Sequence, residues 1–314
     1  MLPYLTNLSS NIFNIFDYNS LPLQSSNHMI VIGCDGFGQT YMETYLDELP
    51  NIKYLIENGS STQESLRPRC RMPSPDASNW TTVITGLSPE ETGINNNDWT
   101  QNNTEPITYG QAGLPPINGS GNIPETLWSV AKQQDCELNL GVVSSWSWIH
   151  HLVDESVNIF VDQNKTNKQE IVLDMVNEQE LPNLLFIHLN EVDDAGRKYG
   201  WGSKQYFDAM ASVDCFIGKL LDLLGKNNYN HKTNILLTAD HGGWQHSHEY
   251  FNQDCIYIPI IFYGCDIKKN YKIPYYVNSL HIAPTVLNLM GLNKGKYMIS
   301  EPIKDIIIEK HIEN

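Results

Sequence analysis

The stretch "NILLTADHGG" (residues 234–243) runs from an apolar, β-branched segment straight into Asp240, His241 and a pair of glycines. It reads as a strand that delivers an acidic residue and a histidine to its own carboxyl end. Two other segments do the same: "VIGCDG" (31–36) leads into Asp35, and "FIHLNEVDDAG" (186–196) leads into Asp193 and Asp194. In an open parallel sheet, ligands gather at the carboxyl ends of the strands. Three distant parts of the chain are therefore expected on one rim, where carboxylates repel one another unless a cation joins them. A mixture of Asp and His suits zinc or a similar divalent metal. Taken singly, each Asp is a turn or helix-cap residue; the three together, with His241 among them, point to a cation site.

Working outward, further strands are expected at 138–145, 157–161 and 257–263, separated by amphipathic helical stretches. That alternation predicts a mainly parallel sheet covered by helices on both faces. The helical period is clearest where Tyr206, Met210, Val213, Ile217, Leu220 and Leu224 recur at spacings of four and three, a stripe that belongs in the core. Residues 95–121 are rich in Asn, Gly and Pro with little periodicity, so they read as a long loop over one face, of the kind that shapes a substrate pocket. With no repeat, low-complexity tract or linker in view, residues 1–314 are expected to form one domain whose core spans about 29–292.

Six scattered cysteines with no C-x-x-C pair exclude a disulfide framework or a cysteine zinc site. The formal charge of −16 argues against a surface for duplex nucleic acid. It also requires that any anionic phosphate be met by metal ions or clustered arginines. No basic start is followed by an apolar run, and no segment approaches a membrane span, so the expected location is the cytoplasm, with no membrane partner.

The ordered motifs "NEVDDAGRKYGWGSKQY", "TADHGG" and "IAPTVLNLMGL" resemble the alkaline phosphatase superfamily, in particular its type I phosphodiesterase/nucleotide pyrophosphatase branch, over most of the chain. The resemblance implies a three-layer α/β/α sandwich and a two-metal site, zinc or manganese, at which a Ser or Thr attacks a phosphoryl group. Carried over by residue, it implies that Asp35, Asp240 and His241 hold one metal. Asp193 would serve the other, together with His248, for which His246 is a close rival. The His expected in the family's D-x-x-G-H motif is here Arg197, a guanidinium that cannot ligate a cation and would repel one. His281 is read as a buried or helix-start residue rather than a ligand.

The same resemblance places Asp76, in "RMPSPDASNWTTVITG" (71–86), at the position of the attacking hydroxyl, with Asn79 where the family holds a phosphoryl oxygen. A helix after Asp76 would aim backbone N–H groups at an anion. Three readings are open: Asp76 is an inactivating change that coordinates metal permanently, Asp76 itself attacks, or Ser74 or Ser78 attacks after a register shift. Arg197 either clamps a phosphate beside a single metal or forms a salt bridge with Asp76. Arg67, Arg69 and Arg71 alternate along a solvated edge or a phosphate funnel. Trp146 and Trp148 stack on a nucleobase or pack in the core. The expected function is metal-dependent hydrolysis of phosphodiester or nucleotide pyrophosphate bonds. The alternative is an inactive relative that binds a phosphorylated small molecule, a nucleotide or a protein partner.

Overall fold

A computed structural model of the chain describes residues 28–72, 74–100, 124–162 and 167–309. Residues 101–121 of the expected loop, and the first 27 residues, lie outside the described residues. Among the described residues, eight strands form one sheet: β1 (His28–Cys34), β2 (Ser60–Thr62), β3 (Leu140–Ser144), β4 (Ile159–Val161), β5 (Leu184–Leu189), β6 (Thr233–Thr238), β7 (Ile260–Gly264) and β8 (Tyr271–Ile273). Their order is β4-β3-β5-β1-β6-β7-β2-β8. Every pair from β4 to β6 is parallel, whereas β7 runs antiparallel to both β6 and β2.

Side-chain alternation divides the sheet into two faces, each covered by helices. Met29 and Val31 of β1, with Leu184, Phe186 and Leu236, pack against helices Asp76–Thr85, Leu127–Gln134 and Ile282–Leu289. Ile30 and Ile32, with Leu185, Ile187, Ile235 and Leu237, face helices Pro50–Asn58, Lys168–Asn177 and Lys204–Lys226. The α/β/α sandwich expected from the resemblance is therefore the observed architecture. Buried Met298, Ile303 and Ile306 carry the core beyond its expected end near residue 292.

The six-residue stripe of helix Lys204–Lys226 is buried throughout, and each such side chain contributes about 1.5–3 kcal/mol by leaving water. One buried residue of that helix lies outside the apolar pattern. Asp214 accepts from Ile52 N at 2.7 Å and Asn51 Nδ2 at 2.8 Å, satisfying a donor in the first turn of helix Pro50–Asn58 that has no partner within its own helix. Among the described residues, no helix is long and apolar enough to cross a membrane. All six cysteines lie among the described residues, and none is in a disulfide.

Candidate active site

The three central strands β5, β1 and β6 are adjacent and parallel, so their carboxyl ends lie side by side. Asp35 follows β1 directly, Asp240 and His241 follow β6, and Asp193 sits in helix Glu191–Tyr199, which begins just after β5. Gly36, at φ +69°, turns the chain after Asp35, and a Cβ there would stand 2.9 Å from Asp193 Cα. The close approach that glycine permits brings the Asp193 helix against the end of β1. Asp76 is the first residue of helix Asp76–Thr85, which packs over the same rim. Asp194, in contrast, is exposed.

Asp35, Asp76, Asp240 and His241 converge with ligand atoms all within 4.8 Å of one another, every residue buried. His241 Nδ1 donates to the Gly242 carbonyl at 2.6 Å, which turns Nε2 toward Asp76 Oδ1 (2.8 Å), Asp240 Oδ2 (3.3 Å) and Asp35 Oδ1 (3.5 Å). Asp35 Oδ1 and Asp240 Oδ2 are buried without a hydrogen-bond partner. Burial, then the charge of Asp35, pushes the Asp240 carboxyl well above its ordinary range. Burial opposes a charge on His241, but Asp240, Asp76 and Asp35 outweigh it and raise the imidazole well above its usual value. Such a cluster draws positive charge, and its oxygen and nitrogen donors fit a divalent cation.

The other half of the site is organised by Arg197, one helical turn after Asp193. Its Nε donates to Asp193 Oδ2, and its Nη2 lies 3.1 Å from both Asp76 oxygens and 2.9 Å from His248 Nε2. His248 Nδ1 donates to the Ser74 carbonyl at 2.9 Å, so Nε2 is the acceptor of the Arg197 proton. Burial, then the charge of His241, lowers His248 to about 4, keeping it neutral for that role. Burial and the charge of Asp35 push Asp193 up to about 7, against the pull of His241 and Arg197. Asp76 is also disfavoured by burial, yet the hydrogen bond with His241 and the charges of His241 and Arg197 hold it well below the carboxylate range. The guanidinium thus touches Asp76 together with Asp193 and His248, the two ligands expected for a second metal. Asp76, His241 and His248 are also spaced to hold an ion, and Arg197 Nη2 contacts both Asp76 and His248, a positive charge that opposes a cation there.

A profile of the type I phosphodiesterase / nucleotide pyrophosphatase family matches residues 29–258. The chain belongs to this family. Human ectonucleotide pyrophosphatase/phosphodiesterase family member 1 is 27% identical over 257 residues, covering 78% of this chain and 26% of that protein. Venom phosphodiesterase 2 of Crotalus adamanteus is 26% identical over 221 residues, covering 68% of this chain and 26% of the venom protein. The chain thus spans about a quarter of the length of the curated relatives it matches. A solved structure of murine ectonucleotide pyrophosphatase/phosphodiesterase 5, an inactive variant in complex with AMP, shares the fold. It has a TM-score of 0.65 at 15% identity, covering 90% of this chain and all of that one.

Within this phosphodiesterase family frame, several sequence expectations are resolved by geometry. His248 enters the site, while His246 is exposed, with Nδ1 against the Arg197 carbonyl. Asn79 Oδ1 accepts from Arg71 N at 2.8 Å, leaving its Nδ2 buried and unpartnered. Ser74 donates to the His248 carbonyl, and Ser78 is fully buried inside the helix. Arg67 pairs with Glu43, Arg69 lies over Tyr257 and Tyr276, and Arg71 is 4.0 Å from Glu90, so the three do not form a phosphate funnel. Trp148 is buried, donates to the Trp99 carbonyl and stacks on Trp146, which is the packing alternative. His281 ends a short 3-10 turn and precedes helix Ile282–Leu289, bonding Asn278 in the helix-start role.

Three participants were not singled out in the sequence. Asn97 donates from Nδ2 to Asp76 Oδ2 at 3.1 Å and accepts from Ala77 N, so the described start of the long segment does reach the site. Trp80 and His188 both contact Asp35. Trp80 follows Asp76 by one helical turn and His188 sits on the strand ahead of Asp193, which is the signal each carries.

Proposed function

We propose that this rim binds one divalent cation, zinc or in its place manganese, together with a phosphorylated small molecule such as a nucleotide, and that phosphoryl transfer is suppressed at position 76. The reading rests on Asp76, whose oxygens are both engaged by Arg197 while Oδ1 also meets His241. Asp35, Asp240 and His241, with Asp76 as a permanent fourth ligand, would hold the cation. Bound there, it would supply Lewis-acid polarisation of a phosphoryl oxygen. Asn79 presents its free Nδ2 donor for another such oxygen. Arg197, half exposed, supplies the positive charge that a second ion would otherwise bring. A carboxylate at position 76 has no proton to lose on activation and adds a negative charge against an incoming phosphate. AMP in the murine relative's structure makes a nucleotide the first ligand to try.

The second reading is that the chain, as it stands, hydrolyses phosphodiester or nucleotide pyrophosphate bonds, as its family name describes. The intact trio of Asp35, Asp240 and His241 and the unpartnered Asn79 donor favour it. It requires an attacking oxygen, which Asp76 supplies only by leaving Arg197 and His241. Hydrolysis of a p-nitrophenyl phosphodiester with added zinc or manganese, paired with AMP binding, separates the two. Binding without turnover supports the proposal, and turnover at the rates of ordinary enzymes overturns it.

A further inference from the structure

We propose that His188 and Trp80 form a two-donor clamp that positions Asp35 for the divalent cation and ties the cation site to the helix carrying Asp76. This rests on the cation reading above. Asp35 Oδ2 lies 3.1 Å from Trp80 Nε1 and 3.1 Å from His188 Nε2, while Oδ1 has no hydrogen-bond partner. The His188 tautomer follows from its surroundings. Its Nδ1 is buried and unpartnered, so a proton on Nδ1 would be orphaned and would turn the Nε2 lone pair toward a carboxylate. A proton on Nε2 avoids both penalties and donates to Asp35.

All three residues are buried, and His188 stands in a strand otherwise made of Leu, Ile and Phe, where an apolar residue would pack without needing a partner. Its neighbours across the sheet are Ser144 on one side and Gly33 on the other. A Cβ on Gly33 would lie 2.5 Å from Trp80 Cη2, so the missing side chain is what lets the indole lie across β1 and reach Asp35. Trp80 and Asp76, four residues apart, share a helix face. The helix therefore contacts the cation cluster at two points, with the Asp76 carboxylate and the Trp80 N–H. Two donors on Oδ2 fix the rotation of the Asp35 carboxylate and leave Oδ1 as a single-point ligand; without them it is free to rotate away or to chelate through both oxygens.

The test uses the full chain, with zinc affinity measured by chelator competition and cobalt(II) absorption reporting the ligand geometry. The variants are Trp80→Phe, His188→Leu and His188→Gln, each confirmed as folded by circular dichroism. Trp80→Phe keeps a ring and removes the donor; His188→Gln keeps an N–H. Removing either donor is expected to weaken zinc binding about 10–100-fold and shift the cobalt bands, the size found for partners that orient metal ligands. His188→Gln is expected to recover most of the affinity that His188→Leu loses. Folded variants that match the starting protein in affinity and spectrum overturn the clamp, as does a His188→Gln variant no better than His188→Leu. A starting protein that binds no zinc or cobalt overturns the cation reading and the clamp together, whereas changes confined to the variants bear on the clamp alone.

Discussion

Replacing Asp76 by Ser should convert a latched site into a turning one. To reach a phosphorus atom, Asp76 must leave its contacts with Arg197 and His241, at 3.1 and 2.8 Å. Hydrogen bonds to charged groups contribute about 1.5–3 kcal/mol each. Because the Arg197 side chain is 42% exposed, water screens its share and the lower end applies. Two such contacts amount to about 3 kcal/mol, which is roughly a hundredfold in rate. Serine makes neither charged contact, and its hydroxyl has the proton that coordination to a cation would remove. Asp76→Ser is therefore expected to raise diesterase activity at least about a hundredfold, read as p-nitrophenol release at saturating zinc, with zinc content measured in the same samples. A lower activity than the starting protein would show that the carboxylate itself attacks. Equal activity, with zinc bound in both, would show that the latch is not what limits turnover.

Protein purified without chelator should carry about one divalent cation per chain by metal analysis, and Asp240→Asn should lose it, since Asp240 Oδ2 is an unpartnered buried oxygen aimed at the cluster; two tight ions in the unmutated protein would contradict the position assigned to Arg197. Arg197→His should raise the stoichiometry toward two in a zinc titration, because it removes a cation and offers a neutral ligand beside Asp193 and His248. Away from the site, Asp214→Ala should lower stability by about 1–3 kcal/mol in urea unfolding by stranding the buried Ile52 N–H; an unchanged midpoint would mean that water or a neighbour takes its place.

Much of this arrangement was legible because strands deliver their last residues to one edge. Asp35, Asp193, Asp240 and His241 could be placed from three apolar runs alone, and the Tyr206 to Leu224 stripe from its period. Strands β2 and β8 were not seen, since three residues carry too little alternation to register and both depend on pairing beyond β7. The resemblance led to His248, but the guanidinium between it and Asp193 is a matter of side-chain reach that spacing does not encode. Asn97, Trp80 and His188 were missed for a common reason. Each acts through a hydrogen bond to a residue at least 21 positions away in the chain, and each type is equally at home in a loop or a core.

The pairing of Asp76 with Arg197 also sets the order in which the site can be changed one codon at a time. Altering Arg197 first leaves Asp76 beside Asp35, Asp193 and Asp240 with His241 as its remaining counter-charge, so the folded chain would lean on captured metal for its charge balance. Altering Asp76 first leaves Arg197 paired with Asp193 through its Nε and removes a negative charge from a strongly acidic rim. The second order passes through the intermediate with the better charge balance in the absence of metal, so a lineage or a laboratory selection starved of zinc is expected to begin at position 76.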